Sequence, residues 1–250
     1  MRLLSITRHL KEQNWLAVLL DFLIVVVGVF IGLQVSNWNQ EWMKAERESM
    51  LLHDIVEDLH ADLEELDIVI EFARLRYSAQ TSLLKRATGW KIPDSYPNGL
   101  NNFETYPTPP YSEPNLAIEA LYLSVRFASF DMETRTYSML LASGEMKFNR
   151  YPELGEKLRK HYNEAQEWTN GETEHHAPLY VKILEQLAQH GLGPLDSIEW
   201  AELEKIISSD PTLQGQLKQA IWFNNVQYIF LNMFKSNIES LIKTIESDQD

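Results

Sequence analysis

Along the first part of the chain polar positions almost vanish. From Trp15 to Val35 it reads WLAVLLDFLIVVVGVFIGLQV, with Asp21 and Gln34 its only strongly polar residues. A helix rises about 1.5 Å per residue, so such a run matches a hydrocarbon core of about 30 Å. Residues 15–37 are therefore expected to form a transmembrane helix, with Trp15 at one end and Trp38 and Trp42 at the other as interfacial anchors. A cleaved signal peptide is the competing reading. The run is long for one, and QVSNWNQEW offers no small-residue cleavage site.

Beyond the apolar run the rhythm changes. Residues 42–88 hold no proline or glycine, and Leu52, Ile55, Val56, Leu59, Leu63, Leu66, Ile70 and Ala73 recur every third or fourth position. That spacing predicts an amphipathic helix, which Gly89 ends. Residues 89–113, rich in Pro, Asn and aromatics, are expected to be an irregular loop. Trp90, Tyr96, Phe103, Tyr106 and Tyr111 would pin it onto neighbouring helices. Pro114 should open a helix reaching about Ser129, and a second should cover Glu133 to Ser143 and stop at Gly144. Pro152 opens a charged helix running towards Asn170-Gly171, and a shorter one spans Pro178 to His190. Asp196 or Ser197 should cap the next, and Asp210-Pro211 should start the last. That final helix carries a stripe of Leu217, Ile221, Tyr228, Leu231, Phe234, Ile238, Leu241 and Ile245, interrupted by Asn224 and Asn225. It is expected to lie antiparallel to the helix that follows the membrane segment. The expected fold class is all-α: one N-terminal transmembrane helix continuing into an elongated extracytoplasmic helical bundle formed by 38–250.

Charge narrows the partners. A formal net charge of −14 argues against nucleic acid, whose binding needs clustered Lys and Arg. With no cysteine there is neither a disulfide framework nor a thiolate metal site. Arg2, Arg8 and Lys11 precede the apolar run against the single acid Glu12, whereas Glu41, Glu46 and Glu48 alternate with Lys44 and Arg47 after it. The positive-inside bias then keeps 1–14 cytoplasmic and sends the remainder across the bilayer.

Candidate chemistry is sparse. Gly28, Gly32 and Ser36 form a small-residue row on which a second helix could pack, so a homo-oligomer is expected. Asp21 precedes Gly28 by one heptad and shares that face. It is either an ion or proton site within the membrane or a solvated residue at its cytoplasmic boundary, and the boundary reading is preferred. His53, Glu57, His60 and Glu64 share one helix face and could hold a metal ion, although a solvated acidic flank is the simpler reading. His175-His176 reads as a loop-exposed pair. No GxSxG, Walker A or dinucleotide-binding glycine pattern occurs, so neither an enzyme nor a cofactor is expected.

The run DFLIVVVGVFIGLQVSNWNQE resembles the N-terminal signature of an uncharacterised bacterial family of single-pass inner-membrane proteins. The elements that carry the resemblance are Asp21, the Gly28 and Gly32 run, and the LQxxNWN-type ending at Leu33, Gln34, Asn37, Trp38 and Asn39. IVEDLHADLEELDIVI and, more loosely, TYSMLLASGEMKFNRYPELGEKLRKHYN are similar to later segments of that family. The resemblance implies a bacterial inner-membrane location with a periplasmic domain, and no activity. The function expected is that of a self-associating interaction or scaffold protein with a protein partner on the extracytoplasmic side. The alternatives are an ion- or proton-coupled component using Asp21, or a metal-binding sensor or hydrolase.

Overall fold

The computed structural model describes residues 15–91, 109–148 and 152–247, and among them all regular structure is helical. The expected cytoplasmic segment 1–14 and most of the expected loop 89–113 lie outside the described residues. The chain divides into two units, Met1–His53 and Asp54–Asp250. Helix α1, Trp15–Thr88, contributes to both.

In the first unit α1 is an uncovered apolar helix. Phe22, Ile24 and Phe30 are 64%, 66% and 60% exposed. Over a window of mean hydropathy 2.3, none of the segment is buried against protein. Water-soluble monomers rarely expose contiguous apolar surface of this extent. A helix also satisfies its own backbone hydrogen bonds, as the bilayer interior requires. The segment is long and apolar enough to cross a membrane.

The second unit is built on the rest of α1 and on α7, Pro211–Glu246. They run antiparallel: His60 lies 4.0 Å from Glu246, Lys235 Nζ 2.5 Å from Asp67, and Arg76 Nε 2.5 Å from Asn224 Oδ1. The expected pairing of these two helices holds within this unit. The apolar stripe of α7 faces inward, with Leu217, Ile221, Leu231, Phe234, Ile238, Leu241 and Ile245 all buried. One core cluster joins Leu83 and Leu84 of α1 to Leu121, Ile183, Leu203 and Leu217 of the surrounding helices. A second, aromatic zone stacks Tyr137 on Tyr162 at 4.0 Å and His161 on Phe234 at 4.5 Å.

The shorter helices are α2 (Ala117–Val125), α3 (Arg135–Ser143), α4 (Leu154–Gly171), α5 (Ala177–Gln189) and α6 (Trp200–Ser209). Several boundaries fall as expected: Gly89 and Gly144 take φ of 70° and 73° past the ends of α1 and α3. Asp210 caps α7, its Oδ1 accepting the backbone N–H of Thr212 and Leu213 at 2.9 and 3.0 Å.

Three expectations are corrected. Helix α2 begins at Ala117 rather than Pro114 and stops at Val125, short of Ser129. The backbone beyond it is used elsewhere, since the carbonyls of Arg126 and Ala128 accept hydrogen bonds from buried Arg76 and Gln227. Neither Asp196 nor Ser197 caps α6, whose N-cap position is Glu199; the Asp196 carboxylate instead accepts the Gly193 N–H at 2.6 Å. The break expected at Asn170-Gly171 is absent, because α4 continues through a π turn at Glu172–His176 into α5. Pro178 has no N–H to give to the ladder and its ring crowds the preceding carbonyls; a locally widened helix accommodates it without breaking.

Candidate functional site

Asp58, Asp62 and Glu65 lie on one face of α1, one turn apart, and all three receive backbone N–H groups from the segment leading into α3 or from its first turn. Glu65 accepts from Asp131 at 3.1 Å, Asp62 from Glu133 at 2.8 Å and Asp58 from Thr136 at 3.1 Å. Thr134, at the N-cap of α3, makes no side-chain cap of its own. The first turn of α3 is therefore capped by Asp58 from another helix and by Glu133, which accepts the Arg135 N–H at 3.1 Å, where the helix dipole favours negative charge. Burial pushes the Asp62 carboxyl up to about 7; the Glu133 N–H draws it back, and Asp58, Glu65 and Glu133 push it further up. His161 sits in the same aromatic zone with both ring nitrogens unpaired. Burial lowers it to about 4.

A second buried polar system centres on Arg76, which is 1% exposed. Its guanidinium donates to Asn224 Oδ1 at 2.5 Å, to the Arg126 carbonyl at 2.6 Å and to Gln227 Oε1. Asn224 accepts the Tyr180 hydroxyl at 3.0 Å and donates to Gln80 Oε1 at 2.5 Å. Gln80 in turn donates to the Ser124 carbonyl at 2.7 Å. Gln227 donates to Glu172 Oε1, so one neutral amide links the buried guanidinium to the buried carboxyl group. Burial pushes Glu172 up to about 7, against the pull of the Gln227 bond, the Arg76 charge and the Trp168 indole. Yet Glu172 Oε2 and Trp168 Nε1 both fall short of a hydrogen bond. His176, one π turn later, lies 4.0 Å from Glu172 and is lowered to about 4 by burial, Arg76 and His175.

The π turn brings this system to the surface. A cleft of about 430 Å³ is lined by Glu167, Trp168, Glu172, His176, Trp222 and Phe223 among others. The His176 ring packs at 4.3 Å from Phe223 and 5.9 Å from Trp168. A helix that gains one residue per turn turns its side chains through a different angle, and this places Glu172 and His176 inward while His175 stays exposed. The expected loop-exposed histidine pair is thus split, one buried and one free to solvent.

The residues singled out from sequence are placed as follows. Asp21, Gly28, Gly32, Ser36, Trp38 and Trp42 are all exposed on the uncovered part of α1. The side chain of Trp15 lies outside the described residues. A Cβ added at Gly28 or Gly32 would meet nothing within 4 Å. His53, Glu57, His60 and Glu64 are exposed, and among the described residues no three His, Asp or Glu side chains converge as a metal site. Of the loop aromatics, Trp90 packs on the core and Tyr111 bonds Ser82 at 3.0 Å, while Tyr96, Phe103 and Tyr106 lie outside the described residues. Sequence reasoning missed Arg76, Gln80, Gln227 and Glu172. The visible signal was Asn224 and Asn225 breaking the α7 stripe, since a polar residue at a core position implies a buried partner.

These features define an all-α protein with one candidate membrane-spanning helix among the described residues. Residues 21–91 match the model of a family described as a family of unknown function (DUF6090). The matched stretch runs from Asp21 through the glycine pair to the carboxylate row and Arg76; the looser likeness around residues 136–163 lies beyond it. No curated protein and no solved structure matches the chain.

Proposed function

We propose that this is a single-pass, membrane-anchored interaction protein. Its N-terminal helix anchors and self-associates in the lipid bilayer, and its second unit binds a protein partner. The observation that carries the reading is the uncovered apolar segment of α1, in a chain whose second unit already has a complete core of its own. The flanking charges support a cytoplasmic N-terminus and a periplasmic second unit at a bacterial inner membrane. Gly28, Gly32 and Ser36 support close packing of a second copy, because small residues let helix backbones approach in lipid.

Cross-linking in native membranes, followed by identification of what is captured, tests this directly. The expected result is a homo-oligomer that the double substitution Gly28→Ile and Gly32→Ile reduces to monomer, together with a captured periplasmic protein. A wild-type chain that stays monomeric and captures nothing would rule the proposal out.

A further inference from the structure

We infer that the cleft at the π turn is a binding site for a small organic cation of the alkylammonium class. Five rings line it, those of Trp168, His175, His176, Trp222 and Phe223, and so do two carboxylates, Glu167 and Glu172. No Lys or Arg is among its described lining residues. Aromatic faces attract cations through the ring quadrupole, and more strongly where water is excluded. Above about pH 7, where it gives up its proton, Glu172 supplies the deeper negative group. Its side chain is fully buried, and Oε2 has no hydrogen-bond partner. An unpaired buried carboxylate oxygen is costly, and a ligand bearing positive charge would satisfy it.

Arg76 does not fill that role. Its three donor nitrogens are committed to Asn224, Gln227 and the Arg126 carbonyl, and it reaches Glu172 only through Gln227. Arg76 is therefore linked to Glu172 Oε1 through Gln227, and Oε2, near the Trp168 indole, is the oxygen left without a hydrogen bond. Glu167 at the exposed rim adds a second negative charge that would steer a cation inward. The chemistry selects a group that is positively charged and apolar at its surface, because rings and carboxylate together favour charge and shape over a directional hydrogen bond.

Choline and its neutral isostere 3,3-dimethyl-1-butanol separate charge from shape. Titration of the full chain by calorimetry at pH 8, in maltoside micelles whose head group carries no ammonium, should show saturable choline binding. The neutral isostere should bind at least about tenfold more weakly, as a cation–aromatic contact of ordinary strength would give. Glu172→Gln keeps an acceptor for Gln227 and should weaken choline binding while leaving the isostere unchanged. Trp222→Leu alters a half-open surface ring, so folding is retained, and should weaken it as well. Equal binding of the two ligands, or no saturable choline binding by a chain that unfolds cooperatively, would overturn the assignment.

Discussion

Asp62 and Glu172 hold a proton up to about pH 7 when folded, but release it near 3.8 and 4.5 when unfolded. The folded state binds more protons in that window, so the stability they contribute is fully present below about pH 4 and is lost as pH rises through about 7. His161 and His176 act in the opposite sense. Unfolded they titrate near 6.5 and folded near 4, so their contribution is present above 6.5 and is lost as pH falls through about 4. The two pairs offset one another through the acid range. Asp62→Asn should therefore melt higher than the wild type at pH 8 and uncover a stability that climbs with pH between 4 and 6.5. His161→Phe, which keeps the stacking on Phe234 and removes two unpaired nitrogens, should melt higher with the largest gain below pH 6.5. Thermal unfolding across pH 4–8 checks both; melting curves parallel to the wild type would show that these groups are not buried as described.

At the scale of elements, close approach matters as much as periodicity. Gly155, near the start of α4, sits so near the 144–148 segment that an added Cβ would lie 2.0 Å from the Met146 carbonyl oxygen. Backbone, unlike a flexible side-chain tip, cannot easily yield. Gly155→Ala should cost about 1–3 kcal/mol, typical of overpacking, as measured by chemical denaturation. Gly171→Ala, with open space around its Cβ and helical φ, should be neutral or slightly stabilising by the same measurement. The π turn is an element-scale feature of a different kind. Periodicity could not reveal it, because Asn170-Gly171 and Pro178 are the ordinary residues of a helix end followed by a helix start. What keeps the helix continuous is tertiary: Glu172 and His176 are drawn inward between Gln227, Trp168 and Phe223.

For the whole molecule, the proposed function turns on the side of the membrane on which the second unit would lie. The natural chain has no cysteine, so single replacements give a clean readout. Ser209→Cys, in an exposed position at the end of α6, should react with a membrane-impermeant maleimide on intact spheroplasts. Ser5→Cys should react only after lysis. The reverse pattern would invert the orientation and remove the basis for a periplasmic partner. Removal of residues 1–53 should leave a chain that stays in the aqueous fraction, since the uncovered apolar segment goes with them.

The long apolar helix, a candidate membrane span, was legible from residues alone, because an uninterrupted local run of apolar side chains needs nothing from the rest of the chain. The same holds for Gly89, Gly144 and Asp210, whose effects on helix ends reach only a few residues along the backbone. The antiparallel pairing of α1 with α7 was also within reach, since two long amphipathic stripes must cover each other. The carboxylate row at Asp58, Asp62 and Glu65 was not, and in sequence it is less conspicuous than the His53, Glu57, His60 and Glu64 set one face away. An Asp on a helix looks the same in sequence whether it meets water or the backbone of a distant loop. The Arg76–Gln227–Glu172 relay likewise joins residues far apart in the chain, through bonds that exist only once three helices have packed. Sequence determined what each local stretch must hide from water. Which polar groups would be hidden with it, and which partners would satisfy them, was decided by the tertiary structure, because hydrogen bonds between distant segments leave no periodic trace.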